Sequence, residues 1–514
     1  MPRAILPGLL VVVSLFSAAV ATVSADPPLD RDSKPNILMI AIDDLNDWVE
    51  PLGGHPQSQT PAIQRIADRG VNFTNAHCQS PLCNSSRTSL LLSLRPSTTG
   101  IYGLAPWFKT VDRWKETVSL PQRLKSAGYE TYQAGKVYHA TYGRGGAEFD
   151  HMGPPGGPGK TPPTKLIPPT PAGNNPWVDW GVFEHDEEDK RDYQVAQWSI
   201  DRLAEMPTDK PFFLACGFFM PHVPCHSTPK WWNKYDDATL QLPPVLPDDR
   251  LDCSPFSWYL HWNLPEPRMS WLEHHDQHKN LVHAYLASIT WADHCVGRVL
   301  DALDNSRFAD NTIIVLWSDH GWHLGEKNIT GKNTLWERST HVPLIFAGPG
   351  ITPGHTNSPA ELLDVYPTIC DLIGIDAPSH VEGLSLVPQM QDLDSVRSRP
   401  AITDHNPGNQ GIRGQRYRLI RYADGSEELY DIQNDPHEHH NVIGDADHTA
   451  AADRLRKYSN DNMAPLAPGS GARILEKRDD GWYWENTRID PDNPPMSIAP
   501  NQPSDLPRFS AAAR

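Results

Sequence analysis

The sequence predicts an α/β protein with a large mixed, mostly parallel β-sheet, helices on both faces of that sheet, and a smaller C-terminal antiparallel α+β subdomain. Short unbroken apolar runs recur along most of the chain, and segments with helical periodicity separate them. After about residue 395 the pattern changes to alternating apolar and polar residues. Unbroken apolar strands are typical of a parallel sheet covered on both faces, and strands that alternate with helices are typical of a doubly wound order.

Three apolar runs are the predicted central strands. None of them contains a charged residue, and they cover residues 37–42, 212–219 and 312–317. Polar residues follow the first and the last of these runs directly. Because ligand-binding residues of open α/β sheets gather beyond the carboxyl ends of the strands, these polar residues are candidate site residues.

Two short helices and one long helix are predicted between the strands. The segment 60–70 has a threonine N-cap, a proline at the first helical position and a closing glycine. Residues 119–127 repeat this pattern before Gly128. The segment 279–304 has the amphipathic pattern of a longer helix, which would pack one face against the sheet.

Two later segments have a different character. Residues 153–176 are rich in proline and glycine and lack any period, which predicts a surface loop at the rim of a pocket. Residues 416–422 and 428–432 alternate apolar and polar side chains around a turn sequence, which predicts a β-hairpin. The last thirty or so residues are rich in proline and are predicted to be extended.

Three regions of the chain are predicted. Residues 1–25 are typical of a signal peptide, with an apolar stretch at 9–16 and a small-residue cleavage site at 23–25. The apolar stretch is too short to favour a spanning helix, and no cysteine follows it to carry a lipid. We therefore expect an exported protein, periplasmic or secreted, without a membrane anchor. Its main domain would cover residues 26–395 and its C-terminal subdomain residues 396–514.

The net charge of −18 argues against a nucleic-acid partner, because phosphate binding requires a basic surface. An anionic substrate would be repelled at long range, so any site for one must be locally cationic. The seven cysteines are an odd number. If Cys83 is set apart for chemistry, six remain, and their spacing leaves open which of them pair, or whether any do.

Two pairs of polar residues at strand ends form a candidate metal site. Asp43 and Asp44 follow one predicted strand, and Asp319 and His320 follow another. Three carboxylates with one imidazole suit a hard divalent cation such as Ca²⁺ better than zinc or copper. Alternatively, strand-end aspartates cap the next helix or bind backbone amides. The second strand end and the presence of Cys83 favour the metal site.

Cys83 precedes a predicted helix at residues 86–92. A lone cysteine is usually a small buried side chain or half of a disulfide. Here the helix would place residue 83 at the positive end of the helix dipole. Arg87 follows one turn later and would bind an oxyanion bidentately. A cysteine, an arginine and a metal site together favour hydrolysis of an anionic ester.

The run from Cys83 to Arg87, Cys-Asn-Ser-Ser-Arg, resembles the signature of the sulfatase family, Cys-x-Pro-Ser-Arg in the most similar subset. In that family the cysteine is oxidised to formylglycine. The resemblance therefore implies a partner that matures the chain, either a formylglycine-generating enzyme or an anaerobic sulfatase-maturating enzyme. Ser85 departs from the signature because it stands where the family has proline, and this leaves open whether Cys83 is fully converted.

The resemblance also implies a mechanism. Formylglycine is hydrated to a gem-diol, and one hydroxyl, activated by the metal, attacks sulfur to form a covalent sulfate ester. The other hydroxyl then collapses to the aldehyde and expels sulfate. The implied ligands of the Ca²⁺ ion are Asp43, Asp44, Asp319, His320 and residue 83 in its converted form.

Four further positions match elements of the family. Lys136 and His139 lie in a Gly-Lys-x-x-His element, and the resemblance implies that Lys136 binds sulfate and His139 acts on the gem-diol. His222, in a Pro-His-Val-Pro segment, and Lys332 match the general-acid pair that protonates the departing alcohol. Each residue taken singly is consistent with an ordinary surface side chain. Their order and spacing along the chain favour the family assignment.

Two details are similar to iduronate-2-sulfatase and its bacterial relatives. Lys136 and His139 are three residues apart, and the fourth predicted metal ligand is His320 instead of asparagine. Residues 428–441 also resemble the sulfatase C-terminal subdomain.

The resemblance implies a calcium-dependent sulfatase that acts on a sulfated carbohydrate. Two alternatives stay open: a phosphomonoester or phosphonate hydrolase of the same alkaline phosphatase superfamily, and a non-catalytic protein that binds sulfated glycans through an unconverted Cys83.

Overall fold

The computed structural model describes residues 1, 34–170, 173–207, 209–254, 256, 257, 260, 266–470, 475–484, 487 and 488. The strands in these residues are β1 (Asn36–Ile42), β2 (Gly70–Phe73), β3 (Ala76–His77), β4 (Glu130–Gly135), β5 (His151–Pro155), β6 (Trp180–Val182), β7 (Phe212–Phe218), β8 (Cys225–Ser227), β9 (Thr312–Ser318), β10 (His323–Leu324), β11 (Thr330–Gly331), β12 (Leu344–Ala347), β13 (Gly354–Thr356), β14 (Ala360–Glu361), β15 (Ala401–Asp404), β16 (Gln410–Arg413), β17 (Tyr417–Arg421), β18 (Glu427–Asp431), β19 (Leu475–Arg478), β20 (Gly481–Trp484) and β21 (Thr487–Arg488). The α-helices are α1 (Pro61–Ala67), α2 (Cys83–Leu92), α3 (Pro96–Thr99), α4 (Leu120–Ser126), α5 (Arg191–Glu205), α6 (Pro229–Trp232), α7 (Met269–His274), α8 (His278–Asp304), α9 (Glu337–Thr340), α10 (Val365–Leu372), α11 (Val387–Gln391) and α12 (Thr449–Arg456).

The main sheet has its strands in the order β13-β2-β12-β9-β1-β7-β4-β5. β1 lies inside it and pairs in parallel with β7 on one side and β9 on the other. β4 and β5 continue the parallel part beyond β7, whereas β12 is antiparallel to both of its neighbours. The sheet is therefore mixed and mostly parallel, as predicted, and the three predicted central strands are β1, β7 and β9.

Helices cover both faces of the main sheet. Along β1, Leu38 and Ile40 belong to a core that includes residues of α5 and α8, whereas Ile37 and Met39 belong to a core that includes residues of α2 and α10. All four side chains are fully buried. Successive residues of a strand point to opposite faces, so a strand with two buried faces must be apolar throughout. This explains the unbroken apolar run in the sequence.

The predicted helix starts are confirmed in part. α4 begins with a capping box at Ser119, the predicted N-cap. Thr60 is the N-cap residue of α1, as predicted, but its hydroxyl does not cap the helix, because it accepts a hydrogen bond from Glu50 N at 2.8 Å. Two amides in the first turn of α1 donate to the carboxylate of Asp293 in α8, at 3.0 and 2.8 Å. A carboxylate from a distant helix therefore replaces the local cap.

The proline- and glycine-rich segment 153–176 is irregular for most of its described length, but it begins inside β5. The prediction of a loop is therefore wrong for residues 153–155. Among the described strands β5 pairs with β4 alone, so it is the edge strand of the main sheet there. Proline is tolerated on an edge strand because its missing N–H can face away from the ladder.

A second, antiparallel sheet is formed by β15, β16, β17 and β18, and the last two strands are the predicted hairpin. Ile420 and Tyr430 of this sheet share a core with Leu335 and Trp336 of the preceding part of the chain. The opposite face of the sheet packs against α12. The boundary between the two predicted domains near residue 395 stays a prediction.

Residues 2–25 of the predicted signal peptide, and most of the proline-rich tail, lie outside the described residues. Within the described part of the chain, none of the helices has the length and apolar character needed to cross a bilayer. All seven cysteines are described, and each is buried with a free thiol. The structure therefore contains none of the disulfides that the cysteine count left open.

Candidate active site

The two predicted metal-binding pairs meet at the carboxyl end of the main sheet. β1 and β9 are parallel neighbours with their last residues in register, so the residues that follow them leave the sheet side by side. Asp44 N donates a hydrogen bond to Asp319 Oδ1 at 3.1 Å. Asp43, Asp44, Asp319 and His320 are all fully buried. Two acidic segments far apart in sequence thus form one polar cluster.

Two side chains from other parts of the chain hold the backbone around Asp44. This residue has a left-handed conformation (φ 60°), which is uncommon for a residue other than glycine. Tyr285 Oη donates to Asp44 O at 2.7 Å and accepts from Asn46 N at 3.1 Å. Ser318 Oγ accepts from Leu45 N at 3.0 Å. No sequence signal distinguishes Tyr285, because a tyrosine within an amphipathic helix is usually a packing residue.

Cys83 is the first residue of α2, and its side chain lies among groups that carry positive charge. Lys332 Nζ and Lys136 Nζ donate to Cys83 Sγ at 3.2 and 3.6 Å. His320 Nε2 lies 3.2 Å from the sulfur, and His139 is a further nearby group that favours the thiolate. Burial alone would raise the pKa of the Cys83 thiol, but the surrounding cations lower that pKa well below its ordinary value. Position 83 therefore strongly favours an anion.

Arg87 lies one turn further along α2 and is fully buried. Its Nη2 donates to Asp43 Oδ1 at 2.9 Å, and its Nε donates to Asp319 Oδ2 at 2.7 Å. Its Nη1 donates to the backbone carbonyls of Lys136 and Val137. The prediction that Arg87 binds an oxyanion bidentately is therefore wrong for this structure, since its N–H groups donate to oxygens of the protein. The buried carboxylates of Asp43 and Asp319 need its positive charge. Arg87 ties the strand ends to the segment that carries Lys136.

Two buried lysines pair with the carboxylates and reach the Cys83 sulfur. Lys332 Nζ donates to Asp44 Oδ1 at 2.7 Å, and Lys136 Nζ donates to Asp43 Oδ2. Burial alone would lower the pKa of each ammonium group, but the paired carboxylates raise both above the ordinary value. Both lysines are therefore charged at neutral pH. They provide the local positive charge that an anionic substrate requires in so acidic a protein.

His139 and His222 are only partly buried. His222 Nε2 lies 3.8 Å from Asp44 Oδ2, and its Nδ1 donates to Val223 O at 2.5 Å. Asp192 fixes the segment that carries His222, because its carboxylate accepts from two backbone amides of that segment at 2.7 and 3.0 Å. Burial lowers the pKa of His139, and its Nδ1 is buried without a hydrogen-bond partner in the described structure. Asp192 was not selected from the sequence, since nothing local marks it.

The arrangement of the carboxylates fits a hard divalent cation. Ligand atoms converge to within 4.8 Å of one another in two groups, Asp43 with Asp44, Cys83 and His222, and Cys83 with Asp319 and His320. Asp44 Oδ2 is buried and has no hydrogen-bond partner in the described part of the chain, which is costly unless a cation or a water satisfies it. Carboxylate oxygens are the ligands that Ca²⁺ prefers.

The protonation states of Asp319 and His320 also affect how well the site binds a cation. Burial raises the pKa of Asp319 to about 6 despite the opposing charge of Arg87. Burial alone would lower the pKa of His320, but the neighbouring Asp319 raises it to about 9. A ligating imidazole must be neutral, so a cation would displace this proton.

A buried position that favours an anion, two charged lysines beside it, and carboxylates that fit a cation define a hydrolase of anionic esters. The comparison with protein families identifies the class. The model of the sulfatase family matches residues 35–375, which is more than half of the chain, and the protein belongs to this family. It is thus a sulfuric ester hydrolase. A second family model, described as the C-terminal region of N-sulphoglucosamine sulphohydrolase, matches residues 325–463.

Several known proteins are similar over most of their length. A protein named sulfatase from Formosa agariphila is 39% identical over 428 residues, which cover 79% of this chain and 82% of that protein. Human iduronate 2-sulfatase is 30% identical over 413 residues, 75% of this chain and 74% of its own. Delta 4,5-hexuronate-2-O-sulfatase of Bacteroides thetaiotaomicron is 28% identical over 471 residues, 84% and 91% of the two chains. The predicted similarity to iduronate-2-sulfatase and bacterial relatives is confirmed.

Solved structures share the fold. A 2-O GAG sulfatase superposes with a TM-score of 0.65 at 24% identity and covers 83% of this chain and 91% of its own. The phosphonate monoester hydrolase of Agrobacterium radiobacter superposes with a TM-score of 0.69 at 18% identity, over 88% and 99% of the two chains. At these identities the likeness establishes the fold alone.

Proposed function

We propose that this sulfatase removes sulfate from a sulfated carbohydrate, through formylglycine formed from Cys83 and a bound Ca²⁺ ion. The observation that carries the proposal is the cluster of charges at residue 83, where Lys332 Nζ and Lys136 Nζ approach the sulfur to 3.2 and 3.6 Å. The names of two relatives, iduronate 2-sulfatase and Delta 4,5-hexuronate-2-O-sulfatase, support a sulfated sugar as the substrate.

The oxygens of formylglycine would lie near the position that Cys83 Sγ occupies. Hydrated formylglycine supplies a hydroxyl nucleophile, and Ca²⁺ supplies the positive charge that favours its ionised form. Four side chains with residue 83 would hold the ion, namely Asp43, Asp44, Asp319 and His320. Arg87 would position two of these carboxylates. Conversion of Cys83 would require a formylglycine-generating or an anaerobic sulfatase-maturating enzyme, and the signal-peptide pattern in residues 1–25 supports export.

Four side chains of the protein have distinct proposed roles. Lys136, buried and charged beside residue 83, binds the sulfate and offsets the negative charge that develops on its oxygens. His139 accepts a proton from the hydroxyl of residue 83 that does not attack, so that sulfate can leave. His222 and Lys332 protonate the departing sugar oxygen. His222 suits this task because it is partly exposed and its Nδ1 is held by a backbone carbonyl, which leaves Nε2 to face the substrate.

Comparison of nitrophenyl sulfate with nitrophenyl phosphate tests the proposal, using protein whose conversion at residue 83 has been measured. We expect kcat/KM to be higher for the sulfate. A higher value for the phosphate would instead support a phosphomonoester or phosphonate hydrolase. Tight binding of sulfated glycans without turnover of either ester would support the non-catalytic alternative.

A further inference from the structure

A cavity lies near the candidate active site. Its volume is about 470 Å³, which is within the range of about 300–1,000 Å³ typical of small-ligand sites. The residues that line it are 155–160, Trp177, Asp189, Arg191 and Gln194. None of these residues has a role in the proposed reaction.

One loop that lines the cavity packs on a lysine of the candidate active site. A Cβ atom added at Gly156 would lie 2.6 Å from Lys136 Cβ, so only glycine allows the cavity loop to lie directly on this lysine. Lys136 Nζ in turn donates to Cys83 Sγ at 3.6 Å. Arg191, which also lines the cavity, precedes Asp192, whose carboxylate holds the segment that carries the proposed general acid. Two segments that line the cavity thus adjoin residues that form or support the candidate active site.

The cavity contains a cation that is not paired with an acid. Lys160 Nζ is paired with Asp189 at 2.7 Å. Arg191 is half-buried and donates to the neutral side chain of Gln194 at 2.7 Å, and no acidic partner for it occurs among the described residues. The guanidinium group binds sulfate or carboxylate through two parallel hydrogen bonds. Arg191 is thus available to an anionic ligand in a protein whose net charge is −18.

Trp177 adds an apolar surface to the same cavity. Its side chain is 53% exposed, although large apolar side chains are usually buried. Aromatic side chains that are partly exposed to solvent are typical of binding surfaces. An indole and a guanidinium without an acidic partner that line one cavity match a sugar ring with an acidic substituent, since the ring can pack on the indole and the acid can bind the arginine.

We propose that this cavity is a subsite for the sugar unit next to the one that loses its sulfate, and that it selects a unit with a sulfate or carboxylate group. The inference rests on the proposed function, because it takes a sulfated carbohydrate as the substrate. It extends that function, because the preferred substrate is then at least a disaccharide with two anionic units.

Isothermal titration calorimetry with a size-defined heparin tetrasaccharide tests the subsite, in a Cys83→Ala background that prevents turnover. Trp177→Ala and Arg191→Gln should each weaken Kd by about tenfold, because each removes one of the two proposed contacts. Arg65→Gln is the matched control. It removes the same charge from a partly exposed arginine of α1, which packs near β2 and β12 at the far end of the main sheet, and should leave Kd unchanged. An equal Kd in all four proteins, or no binding, contradicts the subsite.

Turnover of nitrophenyl sulfate by the same variants with Cys83 intact separates this inference from the proposed function. The small aryl ester does not reach the cavity, so Trp177→Ala and Arg191→Gln should retain wild-type kcat/KM for it. If both variants lose this activity as strongly as they lose tetrasaccharide affinity, the residues support the active site and the subsite is overturned. If the wild-type protein cleaves no sulfate ester, the proposed function fails, and the calorimetry still decides whether the cavity binds the anionic sugar.

Discussion

Arg87 is the residue on which the buried charges of the active site depend. It contacts carboxylates from two different strand ends, Asp43 at 2.9 Å and Asp319 at 2.7 Å. Removing one partner of a buried ion pair leaves an uncompensated charge in a medium of low dielectric, which costs far more than a surface pair contributes. The arginine of the sulfatase signature therefore has a structural task in this chain.

Loss of Arg87 should destabilise the protein. We expect Arg87→Met to lower the free energy of unfolding by about 3–5 kcal/mol when metal has been removed with a chelator, as measured by urea denaturation. Ca²⁺ should recover part of this loss because it neutralises the same carboxylates. Arg69→Met, which removes a surface arginine paired with Asp304, should cost at most about 1 kcal/mol. Similar losses for the two variants contradict the assigned role.

If His222 and Lys332 are the general acids, as proposed, the loss of kcat in their variants should depend on the leaving group. Nitrophenol departs without protonation, whereas a sugar alcohol needs a proton. His222→Ala and Lys332→Ala should therefore lower kcat for a sulfated sugar by about 100-fold or more, and slow nitrophenyl sulfate much less. Lys136→Ala, which removes the proposed sulfate-binding group, should slow both substrates alike. Equal slowing of the two substrates by the His222 variant would assign it another role.

Ca²⁺ binding should depend on pH through His320. In the ion-free site Asp319 raises the pKa of His320 to about 9, and the bound ion requires a neutral ring. Protons therefore compete with Ca²⁺ below this pH, and the affinity should rise by up to about tenfold per pH unit as pH increases toward 9. Calorimetry in buffers of different ionisation enthalpy should detect proton release. His320→Asn should reduce both effects, and a pH-independent Kd of the wild-type protein would rule out His320 as a ligand.

At the scale of elements, the first turn of α2 shows how serine in place of proline at residue 85 affects the folded protein. Ser85 Oγ donates to Ser80 Oγ at 2.6 Å and contacts Leu82 O at 3.1 Å. Its position in the first turn means that its backbone N–H needs no partner within the helix, so proline fits there. The departure from the family signature is therefore expected to act on maturation of the unfolded chain, with little effect on the folded site.

Ser85→Pro should raise the fraction of formylglycine at residue 83 and the specific activity in proportion, at a cost of about 1 kcal/mol for the lost hydrogen bond. Peptide mass spectrometry and nitrophenyl sulfate turnover measure the two quantities. Ser80→Ala breaks the same hydrogen bond without adding proline and should leave the formylglycine fraction unchanged. Higher activity at a constant fraction would show that proline acts on the folded site instead.

Some elements of the site could be predicted from local pattern alone. An apolar run that ends in acidic residues indicates a buried strand with polar groups beyond its edge, and β1 and β9 do bring Asp43 and Asp319 together. Lys136 also directly follows a strand, β4, and the segment that carries His222 follows β7. These two residues were assigned only through the family resemblance, although their positions after strands were an available signal.

Other features depend on tertiary contacts that no local pattern encodes. Arg87 is predictable as a functional residue, but its partners are carboxylates on two strands, and spacing along the chain cannot specify them. Thr60 has the sequence of an N-cap, yet Asp293 satisfies the amides of α1 from another helix. In the same way Tyr285 reaches the backbone at Asp44 from α8.

At the scale of the whole molecule, the C-terminal sheet holds the segment that carries Lys332. Arg418 of β17 donates to Leu335 O at 2.7 Å, and residues of the same sheet share a core with that segment. From the other side, Asn333 N donates to Pro81 O at 3.2 Å, just before α2. The second sheet and the segment that leads into α2 thus both hold the backbone near Lys332, so both parts of the chain contribute to the site.

The most direct test of the central claim is the mass of the peptide that carries residue 83, measured on protein from its own host together with turnover of nitrophenyl sulfate. We predict a peptide in which oxygen has replaced the sulfur and two hydrogens of Cys83, and an activity that rises in proportion to its fraction. A peptide that carries only the cysteine thiol, in protein that hydrolyses no sulfate ester, would contradict the account.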